Sequence, residues 1–289
     1  MELAHISDIH VMGAPLAGER WQRYVGKRIL GGFNLLTNRS HPVGVLHAAL
    51  EDLAQDPPDH VAVTGDLTNL AFESEFARAC ELLSRLPVPP ERRSIIPGNH
   101  DAYTREAHAT HRFARFVAPL LGEAQLDYPY AQRVDDVLFL SLDSAVATPF
   151  LHAYGVLGEA QLATAERLLA ETDAPIKVVL VHHPPLLGDG KPDRVTRGNR
   201  DGKALIALCQ RQGVQLLLCG HTHRAFQLTL PGERVPLLVS CAGSTTKHDA
   251  IYRRYRLRPD GVDTENRRYD RVHDRFVLAG PARRTLHAP

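Results

Sequence analysis

Apolar residues in this chain follow two rhythms. Val43, Leu46, Leu50 and Leu53 share one face at helical spacing, as do Phe72, Phe76, Cys80, Leu83 and Leu86, which predicts helices over Val43–Gln55 and Glu73–Leu86. Tyr103–Leu121, Gly158–Glu171 and Ala204–Gln212 carry the same period. Between them stand short apolar runs bounded by Gly or Pro: His60–Leu67, Ser94–Ile96, Lys177–Val181, Val214–Cys219 and Leu237–Ser240. Runs this short predict buried strands. Leu3–His10 alternates like a strand and so places Asp8 and His10 on one face. Strands are also expected on either side of Asp135-Asp136, and a hairpin from Tyr252–Arg258 and Val262–Tyr269 around Pro259-Asp260-Gly261. Arginines alternate with Tyr255 and Leu257 in that hairpin, which predicts one wet face. Helices and strands alternate through much of the chain, the pattern of an α/β fold.

The polar residues are most informative where the strands stop. The chain places Asp8 and His10, Gly65-Asp66, Pro97-Gly98-Asn99-His100-Asp101, His182-His183-Pro184-Pro185 and Gly220-His221-Thr222-His223 at these ends. Any one of them alone reads equally well as a polar turn. Together they gather at the carboxyl edge of the strands, where ligands of open α/β sheets bind. Asn99 offers a neutral oxygen, His100 a group that titrates near neutrality, and Asp101 a charge that could orient that imidazole. Imidazole and carboxylate without thiolate suit Mn, Fe, Zn or Co. One ion cannot use so many donors, whereas two can if a carboxylate bridges them.

Charge and composition narrow the reading. With 289 residues and a net charge of +1, the chain can bury a large core and gives no reason to expect a long nucleic-acid partner. Cys80, Cys209, Cys219 and Cys241 form no Cys-x-x-Cys pair and read as small core residues in a reducing compartment. No run is apolar enough to span a bilayer, and a strand beginning at Leu3 leaves no room for a signal peptide, so a cytoplasmic protein is expected. Residues 14–41 stand apart: Arg20, Arg23, Lys27, Arg28 and Arg39 interleave with Trp21, Val25, Ile29 and Phe33 at four-residue spacing. This basic amphipathic insertion suits a peripheral contact with anionic lipid at the inner face of the membrane, a lipid-bearing substrate, or packing against the domain itself. His108 and His111 read as solvated or substrate-facing. The loop Gly188–Asp201 is either the rim of an anion site or simply solvated.

In order, Asp-x-His, Gly-Asp, Gly-Asn-His-Asp, His-His-Pro-Pro and Gly-His-x-His resemble the calcineurin-like metallophosphoesterase superfamily over residues 3–245. The resemblance implies a four-layer α/β/β/α sandwich of two mixed sheets flanked by helices, here as a single domain over residues 1–289 with a C-terminal hairpin and tail at 250–289. It implies two divalent or trivalent ions: Asp8, His10 and His223 on the first, Asn99, His182 and His221 on the second, and Asp66 between them. His100 would protonate the leaving oxygen, with Asp101 as its orienting partner and His183 beside the ligands. The implied reaction is hydrolysis of a phosphodiester or pyrophosphate by an activated water. The insertion at 14–41 tilts the substrate towards a lipid-linked nucleotide such as UDP-2,3-diacylglucosamine. The alternative is a 3',5'-cyclic nucleotide or a glycerophosphodiester, which the His-His-Pro-Pro form favours. A nuclease of the same superfamily or a scaffold without metals ranks below both, because no basic groove is evident and every expected ligand type is present.

Overall fold

The computed structural model describes residues 1–12, 42–247 and 250–281, together with the backbone of 283–286. The insertion at 14–41 lies outside the described residues, and with it the expected lipid contact.

Two mixed sheets form the frame. In the first, β1 (Glu2–Ile6), β2 (His60–Val63) and β3 (Arg93–Ile95) run parallel, joined through α1 (Val43–Gln55) and α2 (Glu73–Ser84). In the second, β5 (Val137–Ser141), β6 (Ile176–Leu180), β7 (Leu216–Cys219) and β9 (Leu237–Cys241) are parallel, with β4 (Tyr130–Val134) and β8 (Phe226–Leu230) antiparallel at the edges. Alternation along the buried strands divides their side chains between separate cores. Val61 and Val63 pack with Leu46, Leu50 and Phe76 of the helices, whereas Ala62 faces the other way into a core shared with Leu3, Phe139, Val178, Leu180 and Leu218. On the second sheet Leu140, Val179, Val181 and Leu217 pack under α5 (Glu159–Glu171) and α6 (Gly202–Arg211). The result is helix, sheet, sheet, helix, as the resemblance implies. All four cysteines are free.

Several expectations need correction. β1 ends at Ile6, so Asp8 and His10 leave the strand and sit in the loop after it. The helix expected over Tyr103–Leu121 is broken into α3 (Arg105–Ala109), α4 (Arg112–Val117) and a final 3-10 turn. The break falls at His111, whose φ of 48° ends one helix before the next begins. The C-terminal hairpin forms and joins the first sheet. β10 (Ile251–Arg258) pairs with β1 and with β11 (Gly261–Asp270), which is flanked by β12 (Arg275–Leu278) and β13 (Arg283–Leu286). The face expected to be wet, that of Arg254, Arg256 and Arg258, is wet only in part: Arg256 is exposed, whereas Arg254 is 8% exposed. Arg254 reaches Asp56 Oδ2 at 2.5 Å on the helical side, whereas Arg253 points between the sheets.

Histidine is also buried between the sheets. The His60 ring stacks on Phe139 at 3.8 Å between centroids, and Nε2 meets Ser94 Oγ at 2.9 Å. Burial, with Arg92 nearby, drives the imidazole down to about 3. The unfolded chain therefore takes up a proton near pH 6.5 that the folded chain refuses, and stability falls as pH drops below that value. Replacing His60 by Asn is expected to remove about 1.4 kcal/mol per pH unit from the slope of urea stability between pH 6.5 and 5. An unchanged slope would mean the ring is protonated in place.

Candidate metal centre

The loops that follow β1, β2, β3, β6 and β7 converge at the carboxyl edges of the two sheets. One ligand atom from each of Asp8, His10, Asp66 and His223 lies within 4.8 Å of the others, and the same is true of His182, His183 and His221. Asn99 joins the second group through its amide oxygen, 2.8 Å from His221 Nδ1 and 3.3 Å from His182 Nε2. The structure thus brings together all seven residues proposed from sequence as ligands. It adds His183, whose Nδ1 is held by Ser144 Oγ at 2.8 Å.

The local backbone is strained where these groups sit. Asp8, His10, Asp66, His221 and His223 have φ of 51°, 44°, 53°, 69° and 56°, a region that costs a side chain about 1–3 kcal/mol each. Long-range bonds hold the strain in place. Asp8 N–H donates to Gly65 O (3.1 Å), His10 N–H to Asp66 O (2.9 Å), and His221 N–H to both Asp8 oxygens (3.1 Å). Gly98 belongs to the same close approach, because a Cβ there would meet Asp66 Oδ1 at 2.2 Å.

Backbone carbonyls fix how the imidazoles present themselves. His10 Nδ1 faces Thr68 O at 3.2 Å and His182 Nδ1 faces Thr64 O at 2.6 Å. A carbonyl only accepts, so the proton sits on Nδ1 and the Nε2 lone pair is left to point inward, as a metal ligand requires. Asp66 Oδ2 lies between the groups, 3.5 Å from His10 Nε2 and 3.4 Å from His182 Nε2, yet it accepts no hydrogen bond. His221 Nε2 and His183 Nε2 are likewise buried without a partner. Groups left this way cost about 1–3 kcal/mol each, and a cation would satisfy those it reaches. Burial works to raise the Asp66 carboxyl, but the imidazoles of His182, His100 and His10 outweigh it and hold it well below the usual range. For His182 burial lowers and the Asp66 charge raises, the net being about 10. The donor set therefore fits a pair of cations with Asp66 shared.

His100 lies beside the first group, its ring edge-on to His10 at 4.7 Å between centroids. Asp101 does not orient it. His100 Nδ1 donates to the Asn69 carbonyl at 2.7 Å, whereas the Asp101 carboxylate turns inward and accepts from Leu67 N, Thr68 N, Thr68 Oγ1 and Gly98 N at 2.9–3.1 Å. Burial and the Asp66 charge push that carboxyl up to about 7 against these donors. Asp101 is a brace between two ligand loops. Asp101→Asn, which sets an NH2 against some of those N–H groups, is expected to cost about 1–3 kcal/mol in a denaturant titration. A stability matching the parent would return Asp101 to a role at His100. Asn69 was missed because its carbonyl does the work and any residue type carries one; its side chain also donates to His10 O at 2.7 Å.

At the rim, Asn199 Nδ2 donates to His183 O at 3.0 Å, so the loop Gly188–Asp201 is anchored against the site even though its arginines are exposed. His108 and His111 are exposed on the broken helix, and both line a cleft of about 370 Å³ with Asp101, Tyr128 and Asp143.

Residues 1–225 match the calcineurin-like phosphoesterase family. The chain belongs to that family. Among calcineurin-like relatives, a protein named glycerophosphodiester phosphodiesterase GpdQ from Enterobacter lignolyticus is 30% identical over 227 residues, covering 77% of this chain and 71% of that one. The 3',5'-cyclic adenosine monophosphate phosphodiesterase CpdA of Escherichia coli K12 is 29% identical over 181 residues, covering 61% and 58%. A dimetal phosphatase from Danio rerio superposes with a TM-score of 0.64 at 15% identity, covering 100% of this chain and 99% of that one, a likeness of fold. The family assignment makes this chain a metal-dependent hydrolase of phosphoric esters.

Proposed function

We propose that the chain hydrolyses small phosphodiesters, of the glycerophosphodiester or 3',5'-cyclic nucleotide kind, at a centre that holds two cations. Asp8, His10 and His223 would hold one, Asn99, His182 and His221 the other, and Asp66 both. The observation that carries this reading is Asp66 Oδ2, buried without a hydrogen-bond donor between imidazoles of the two groups. When bound, the cations supply charge against the phosphoryl oxygens and hydroxide at neutral pH. The remaining steps belong to side chains. Asn69 fixes the His100 proton on Nδ1, so Nε2 is the atom that takes up a proton and passes it to the leaving oxygen as the phosphorus–oxygen bond breaks. Asp101 and the left-handed turns keep the ligand loops in register, so little reorganisation is needed at the moment of reaction.

The names of the relatives support the small diesters over a lipid-linked nucleotide, since the latter rests wholly on residues 14–41, outside the described residues. Among the described residues no helix is long and apolar enough to cross a membrane. A single catalytic domain is supported by β10, which lies between β1 and β11 and so ties the C-terminal strands into the first sheet. The test is to strip the protein with a chelator, reload it with Mn, Fe, Zn or Co in turn, and offer glycerophosphodiesters, cyclic nucleotides and UDP-diacylglucosamine in parallel. Metal-restored turnover of a small diester is the expected result. Turnover of the acylated nucleotide alone would move the reading to the lipid substrate, and none with any metal would remove it.

A further inference from the structure

A line of buried polar side chains runs from between the sheets to the first ligand group. Arg253, 4% exposed and with no carboxylate among its hydrogen-bond partners, places Nη1 2.6 Å from both Ser240 Oγ and Phe226 O. Ser240 Oγ lies 2.8 Å from Tyr255 OH, which lies 3.3 Å from His5 Nδ1. His5 Nε2 is 2.8 Å from Thr64 Oγ1, Thr64 Oγ1 is 2.8 Å from Ser7 Oγ, and Ser7 Oγ is 2.6 Å from Asp8 Oδ2. Ser7, Thr64, His5, Tyr255 and Ser240 are all fully buried or nearly so.

Each hydroxyl has one proton, and counting them from the two ends leaves one arrangement. The Asp8 carboxylate only accepts, so Ser7 donates to it at 2.6 Å. Ser7 must then accept from Thr64, which spends the Thr64 proton, so His5 Nε2 must be the donor to Thr64. A neutral imidazole has one N–H, which leaves His5 Nδ1 as an acceptor for Tyr255. From the other end, the Arg253 guanidinium can only donate to Ser240, which frees the Ser240 proton for Tyr255 and the Tyr255 proton for His5. The opposite direction would leave Thr64 and Ser7 oxygens 2.8 Å apart with no proton between them. Burial, helped by the Arg253 charge, holds His5 down to about 3, so the ring is neutral at any working pH.

We propose that this one-way chain of hydrogen bonds, from Arg253 through Ser240, Tyr255, His5, Thr64 and Ser7, fixes the Asp8 carboxylate as a preorganised metal ligand. Its members are positioning residues. Each bond polarises the next in the same sense, with a buried cation at one end and the carboxylate at the other. Ser7 is the sequence neighbour of Asp8 and His5 lies on the same strand, whereas Thr64 and Tyr255 are brought in by the pairing of β1 with β2 and β10, and Ser240 comes across from β9 of the second sheet.

The inference rests on Asp8 being a ligand, and its test separates the two ideas. In metal-free protein labelled with 15N-histidine, His5 is expected as the Nε2–H tautomer by its ring-nitrogen shifts. The Nδ1–H form would overturn the direction of the chain, whatever the protein hydrolyses. Thr64→Val removes the hydroxyl at nearly constant volume and is expected to weaken metal binding in chelator competition roughly tenfold or more, with Thr64→Ser restoring most of it. Equal loss in both variants would reduce Thr64 to packing, and no loss in a folded Val variant would end the proposal. Tyr255→Phe, which keeps the ring and cuts the remote end, serves if Thr64→Val fails to fold. Because the Asp8 end alone keeps the His5 proton on Nε2, this variant is expected to leave that tautomer in place and to weaken metal binding, and unchanged affinity would overturn the chain.

Discussion

Asp66→Ala is expected to lower kcat/KM on bis-p-nitrophenyl phosphate by roughly a thousandfold or more, and to lower the metal bound per chain. The size follows from the place of Asp66 Oδ2, flanked at 3.5 and 3.4 Å by the Nε2 atoms of His10 and His182 from the two ligand groups. If, as proposed, that carboxylate is shared, its removal would weaken both cation positions, and several kcal/mol of charge stabilisation at phosphorus would go with them, each 1.36 kcal/mol being a factor of about ten. Asp66 Oδ1 also accepts the His100 backbone N–H at 2.8 Å, so the variant loosens the loop that carries His100. Asp66→Asn keeps the shape and the acceptor oxygen while removing the charge. If the effect is electrostatic it should approach the alanine variant, and if it is loop order it should stay near the parent. Turnover and metal content both unchanged in Asp66→Ala would dismantle the two-cation reading.

His100→Ala is expected to show a loss that depends on the leaving group. With an alkoxide leaving group, which needs a proton as it departs, kcat should fall by about 10²–10⁴. With p-nitrophenolate, which leaves without one, the loss should be far smaller, and metal content should match the parent. The contrast follows from position: the ring is edge-on to His10 and its Nδ1 is tied to Asn69 O at 2.7 Å, which leaves Nε2 as the nitrogen that would carry the transferred proton. Equal losses on both kinds of ester would make His100 a group that stabilises charge on phosphorus instead of a proton donor.

The strand ends were legible because burial on both faces leaves a strand no freedom of composition. Where a run such as Lys177–Val181 meets His182-His183-Pro184-Pro185, the change in chemistry marks the end of the strand without help from the rest of the chain. Positions set by other parts of the chain were not legible. The two-residue spacing of Asp8 and His10 was read as strand alternation, yet both are left-handed in a loop held by carbonyls of Gly65 and Asp66. Asp101 was read as a neighbour of His100 because adjacency is all a sequence offers, while its four donors come from two separate loops. Arg253 shares the alternation of Tyr255 and Leu257, and only the second sheet, through Phe226 O and Ser240, supplies what a charged group on that inward face needs.

By itself the sequence determined the α/β class, the family and the kinds of atom that meet at the sheet edge, because these depend on local periodicity and on residue chemistry at strand ends. Only the tertiary structure decided which ring nitrogen each histidine presents, which carboxylate stands between the two groups and which one braces the loops. Those choices are made by backbone carbonyls and N–H groups that every residue type carries, brought within hydrogen-bond distance by pairing between strands far apart in the chain.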